Sequence, residues 1–120
     1  MAALTVQSIV QAGLTPAYAA ASAGGDTFQN TNDETTFLHV KCGATGATVT
    51  INPFITSLKA TGIGQVTVAA ISVIIAASSE RMIGPFPQYV FTDTGGNVNV
   101  TYSQVATVTV AAIRVTPVSR

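Results

Sequence analysis

Charge is what this chain has least of. Lys, Arg, Asp and Glu make up 8% of its 120 residues, five basic against five acidic, where a soluble domain usually carries about 25%. Nucleic-acid binding is excluded on that ground, because it needs a basic stripe to displace phosphate counterions. Hydrophobic residues are 48% of the chain, so a free monomer has little polar material to cover itself. Part of the surface is therefore expected to be covered by other protein, and a homo-oligomer is expected. Cys42 is the single cysteine, which rules out an intrachain disulfide and a multi-cysteine metal site. Tryptophan is absent and His39 is the single histidine. No apolar run reaches the roughly 20 residues of a membrane helix; the longest, Val66 to Ala77, is broken by Thr67 and Ser72. No membrane partner is expected.

What is present is punctuation for a β-protein. The length suits one domain over residues 1–120, enough to bury about 65% of its unfolded surface. Ala17 to Ala23 imitates a leader-peptide cleavage site, but no Lys or Arg precedes it and Thr5, Gln7, Ser8 and Gln11 interrupt the apolar stretch. Residues 1–25 read instead as an opening strand or arm, from Leu4, Val6 and Val10, followed by a small-residue loop. Asp26 to Glu34 is rich in turn formers and holds three of the five acids, so it reads as a solvated loop.

Thr35 to Cys42 alternates as a strand, with Phe37, His39 and Lys41 on one face and Leu38, Val40 and Cys42 on the other. Ala47 to Ile51 returns after Gly43 and Gly46, and Phe54 to Gln65 reads as a connecting loop, with Phe54–Thr56 a candidate short strand. Two near-identical octets, VTVAAISV from Val66 and VTVAAIRV from Val108, each shift their apolar phase at an Ala-Ala pair. A β-bulge or a tight turn at the alanines would keep the apolar face inward. Gly84-Pro85-Phe86-Pro87 cannot lie inside a sheet. After this corner, Tyr89 to Phe91, the turn Asp93 to Asn97, and Val98, Val100 and Tyr102 read as strand, turn, strand. About eight short strands and no convincing helix predict an all-β fold: an antiparallel β-sandwich or barrel, with jelly-roll the favoured arrangement.

Catalytic chemistry is hard to assemble. His39 and Cys42 stand three apart on a strand and face opposite sides, so they form neither a nucleophile pair nor a zinc site. The acids lie in turns, where they are usually solvated. Calcium in the Asp26–Glu34 loop lacks the spacing of an EF-hand, and no glycine-rich phosphate cradle precedes a helix. No cofactor, metal or enzyme activity is expected. Pro85, Phe86 and Pro87 form a rigid apolar wedge with Tyr89 and Phe91 beside it. These five are the candidate protein-contact residues, since preset proline geometry loses little entropy on docking.

Arg81-Met82-Ile83-Gly84-Pro85-Phe86-Pro87, then an aromatic, then Asp93-x-x-Gly96 leading into Val98-x-Val100-x-Tyr102, resembles a pattern among small structural proteins of tailed bacteriophages. Thr36 to Lys41, Thr109 to Arg114, and Leu4 to Gln7 through Gly13 to Pro16 fit the same pattern in order. The chain departs from it at Ser72 to Ser79, which is more apolar. The resemblance implies a capsid decoration, or cement, protein of the virion. Such a subunit clusters on the outer surface of the phage head, often as a trimer, and bridges neighbouring copies of the major capsid protein. Other readings are a carbohydrate-binding sandwich of a fibre or tail appendage, which requires Tyr89 or Phe91 exposed, and a head–tail or tail structural protein. A small hydrolase would require His39 in a cleft within reach of an acid.

Overall fold

The computed structural model describes residues 2–30 and 35–115. Among them are twelve strands: β1 (Ala2–Ala3), β2 (Val6–Ile9), β3 (Ala19–Ala20), β4 (Asp26–Gln29), β5 (Thr36–Cys42), β6 (Ala47–Asn52), β7 (Ser57–Ala60), β8 (Gly64–Thr67), β9 (Ile71–Ile75), β10 (Glu80–Ile83), β11 (Asn97–Tyr102) and β12 (Val108–Val115). One helical turn, α1 (Gln88–Phe91), lies between β10 and β11. The first sheet has the order β1-β4-β11-β6-β9, and the second has β10-β5-β12-β2, with β3 also on β12. Strands β7 and β8 pair only with each other.

Eight of these strands carry the topology. Setting β1, β2 and the β7–β8 pair aside, the first strand pairs with the last (β3 with β12) and the second with the seventh (β4 with β11). The third pairs with the sixth (β5 with β10), and the fourth with the fifth (β6 with β9), all antiparallel. A long hairpin folded back in this way is a jelly-roll. The remaining segment, residues 2–9, runs along one side: β1 pairs parallel with β4 and β2 pairs parallel with β12. It spans the edges of both sheets and tucks Leu4 and Val6 against the core.

The core lies between the sheets and follows the period of two. Leu38 and Val40 of β5, Val49 and Ile51 of β6, Val98 and Val100 of β11, and Val108, Val110 and Ala112 of β12 are all buried. Each aliphatic side chain removed from water is worth about 1.5–3 kcal/mol. The expected alternation of β5 holds, with Leu38, Val40 and Cys42 inward, but its outer row is not solvated: His39 is also buried.

Four local expectations are corrected. Asp26 to Gln29 is a strand, not a loop, because Asp26 is buried and accepts a hydrogen bond from the Tyr102 hydroxyl at 2.7 Å, which offsets the cost of enclosing a carboxylate. Burial, followed by the contact with Asp26, pushes the Tyr102 hydroxyl pKa upward. Residues 31–34 of that stretch lie outside the described residues. Phe54 to Gln65 is not all loop, since it holds β7 and the start of β8. Tyr89 to Phe91 belongs to a helical turn. The Ala-Ala octets contain no bulge. β12 pairs with β5 without a skipped residue from Val108–Cys42 to Arg114–Thr36, and its phase shift arises because Ala111 and Ile113, on the outer face, are buried too. In the earlier octet the shift falls at residues 68–70, between β8 and β9.

Gly25 sits at the entry to β4 with φ +95°, and a Cβ there would lie 2.5 Å from the Val100 carbonyl oxygen. Both the backbone conformation and the close approach demand glycine. Gly25→Ala is expected to cost about 2 kcal/mol, read as a lower denaturation midpoint with an unchanged slope.

Candidate functional site

The alternation of strands between sheets sends the connections to two ends. Residues 21–25, 43–46, 76–79 and 103–107 gather at one, where the Gly43 N–H donates to Thr107 O and the Ser78 N–H to Gly43 O. Residues 53–70 and 84–96 gather at the other, and all five candidate contact residues lie in the second of these segments.

That end is built on Phe86. Its ring is buried between Phe28 and Phe91, with centroids 5.8 and 6.1 Å away. Asn30 Nδ2, itself buried, donates to the Phe86 carbonyl at 3.2 Å and to Thr92 Oγ1 at 3.3 Å. Pro87, with φ −59°, starts α1, and the N–H groups of Val90 and Phe91 donate back to its carbonyl. Helical geometry sends Tyr89 and Phe91 to different sides, where a strand would have aligned them. Phe91 closes the core, and Tyr89 is 72% exposed.

The five candidates therefore divide. Phe86 and Phe91 anchor the corner from inside, so the wedge has no phenylalanine tip and Phe91 does not stand exposed beside Tyr89. Pro85, Pro87 and Tyr89 face outward. Next to them, the N–H groups of Phe54 and Ile55 both donate to the Val90 carbonyl, at 2.9 and 3.1 Å. This pins half-exposed Phe54 to the same end.

The chain then leaves the sandwich as the β7–β8 hairpin. Gly62 turns it with φ +82°, Gln65 Nε2 donates to Ser57 Oγ at 2.9 Å, and Val68 N–H donates to Thr56 O. All of β8 is exposed, and Ile63 at the tip is 81% exposed. A two-stranded hairpin alone is marginal in water; a docked partner would supply the burial it lacks. Phe54, Ile63 and Val66 were missed as contact candidates. The signal available was Gly62 and Gly64 between two short runs, without the apolar alternation that marks a half-buried strand.

The turn before β11 is held by Asp93. Its Oδ1 accepts from the Gly95 and Asn97 N–H groups at 2.8 and 3.0 Å, and its Oδ2 accepts from Asn99 Nδ2 at 3.3 Å. The Asn97 N–H is the main cause that lowers the Asp93 pKa; desolvation opposes it, and Asn99 and Gly95 add to the lowering.

The titratable cluster lies elsewhere, on the outer face of the second sheet. The Tyr18 hydroxyl is 2.7 Å from His39 Nδ1, His39 Nε2 is 3.2 Å from Glu80 Oε1, and Lys41 Nζ stands 4.5 Å from the Tyr18 ring centroid. An apolar cleft of about 300 Å³ borders it, lined by Leu14, Phe37, Met82 and Ile113 among others. His39 thus meets an acid beside a cleft, as a hydrolase would require. In the tautomer that satisfies both contacts, Nε2–H donates to Glu80 and Nδ1 accepts from Tyr18, so neither nitrogen is left for a substrate. The arrangement clasps residue 18 onto the sheet. Cys42 is buried on the opposite face. Among the described residues no three His, Cys, Asp or Glu side chains group as metal ligands. Asp26 is committed to Tyr102, and the other two acids of the weighed calcium loop, Asp33 and Glu34, lie outside the described residues.

No family model, curated protein or solved structure matches the chain.

Phe86→Ala is expected to cost about 4 kcal/mol of stability, whereas Tyr89→Ala should stay within about 0.5 kcal/mol; equilibrium denaturation separates the anchor from the exposed ring. For Asp93, a folded-state pKa below the ordinary one means its contribution is complete above pH 4 or so and fades as acid titrates it. Asp93 is solvent-screened, so the contribution is a few tenths of a kcal/mol. Asp93→Asn keeps an acceptor but cannot titrate, and its stability difference from the parent should shrink between about pH 4 and pH 2.

Proposed function

We propose that this chain is a structural virion protein of the decoration, or cement, type. It would bind the outer surface of a tailed-phage head and bridge neighbouring major capsid subunits. The observation that carries the reading is the end of the jelly-roll where Pro85, Pro87, Tyr89 and Phe54 stand exposed beside a hairpin that makes no sheet with the body. A rigid corner and an unsupported hairpin with an apolar tip suit a surface completed by a partner. Few charges surround it, so the contact would be mostly apolar and hydrogen-bonded, and weakly salt-sensitive.

Stabilisation then follows from linkage. A ligand that binds the assembled shell and not its dissociated subunits favours assembly by about 2.7 kcal/mol at a hundredfold excess over Kd, and many copies add avidity. Exposed Tyr89 also fits the carbohydrate-binding reading, which measurable glycan binding by the purified protein would select.

The test mixes purified protein with undecorated capsids and follows their heat stability. Binding and an upward shift in capsid melting are expected, and both should be lost when residues 57–67 are replaced by a Gly-Ser linker or when Tyr89 and Phe54 become Ala. Capsids that neither bind the protein nor change their melting would remove the reading.

A further inference from the structure

The chain from Val68 to Ser79 is the part that the capsid reading leaves unused. No charged residue stands between Lys59 and Glu80. Strand β9 lies at the edge of the first sheet, paired only with β6. Proteins normally blunt such edges with Lys, Pro, a bulge or a covering segment. This one does so elsewhere: residues 2–9 cover the opposite side, and the neighbouring edge strand β10 carries Glu80 and Arg81. β9, Ile71-Ser72-Val73-Ile74-Ile75, carries no charge and no proline. Its outward Ile74 is 75% exposed. Inward Ile71 and Val73 are only half buried, although Ile51 and Val49 beside them are fully enclosed.

We propose that β9 is the contact between two copies of this chain, pairing antiparallel with itself across a twofold axis at Val73. An isologous contact needs a self-complementary strand, and this one is. The axis sets Val73 opposite Val73, Ile71 opposite Ile75, and Ser72 opposite Ile74 of the second copy. Every facing pair is uncharged, and the inward pairs are β-branched on both sides, a favourable cross-strand match. Pairing fills the free backbone edge, covers the half-buried Ile71 and Val73, and joins two five-stranded sheets into one. Five residues a side bury less than the about 1,600 Å² of a standard interface, so a micromolar dimer is expected. The contact is twofold, and a trimer would need another surface. The proposal goes beyond the capsid reading and does not depend on it.

Two paired variants of the full chain test it: Ser72→Glu with Ile74→Glu, and Ser72→Lys with Ile74→Lys. Both positions are exposed and face each other across the axis, so like charges meet twice in each variant alone and opposite charges meet in the mixture. Sedimentation velocity over the micromolar range should show a dimeric parent, each variant weakened by about tenfold or more, and dimers restored on mixing. Unfolding curves check that the variants remain folded. A monomeric parent, a parent that forms only trimers, variants that associate like the parent, or a mixture that stays monomeric would each overturn the proposal. None of these outcomes bears on capsid binding, which is measured separately.

Discussion

The ladder between β5 and β12 is the interaction on which the rest depends. It is continuous from Val108–Cys42 to Arg114–Thr36, and every other strand of the second sheet is attached to one of its two members. Both faces of the ladder are covered. Leu38, Val40, Val110 and Ala112 look into the sandwich, while His39, Ala111 and Ile113 lie under the segment that carries Tyr18. A central pair buried on both sides has no tolerance for a register slip, because shifting by one residue would exchange two filled surfaces. Ala111 and Ala112 fit this constraint, being small enough for segments to approach from either side.

The architecture was legible because the strands of the core keep a strict period of two. Leu38 to Cys42, Val49 to Ile51 and Val98 to Val100 each announce a buried face, and the turn formers between them set the spacing. Where the reading missed, tertiary context overrode local preference. Tyr89-Val90-Phe91 has strand composition, yet closing the core with Phe86 and Phe91 requires a helical turn. Asp26 looks solvated until Tyr102, distant in sequence, supplies its hydrogen bond. The outer burial of His39 depends on Tyr18, which no periodicity links to it. Of the candidate contact set, the prolines and Tyr89 could be placed at a surface corner from sequence. The neighbouring Phe54 could not, because only the hydrogen bonds to Val90 bring it there.

The surface is organised by polarity more than by charge. The outer face of the first sheet presents Thr48, Thr50, Asn52, Asn99 and Thr101, with Asn52 donating to Thr101 at 3.3 Å. This face is uncharged and polar. Large apolar side chains are exposed at the corner, the hairpin and β9, and around the second sheet at Ile9, Val10, Met82 and Val115. Exposed apolar patches rimmed by polar residues are the kind of surface that commonly takes a partner.

The pairing of residues 2–9 has a kinetic meaning. β2 lies against β12, with Val6 opposite Ala112, so it waits for a strand far downstream in the chain before it can settle. β3 waits for the same strand. The jelly-roll closes only after its longest loop closures have been made, which places it among slow-folding topologies. During that wait the uncharged stretch ahead of Glu80 is already made and has no cover. Low charge is thus a hazard to the nascent chain, because apolar segments left uncovered during slow folding are prone to aggregate.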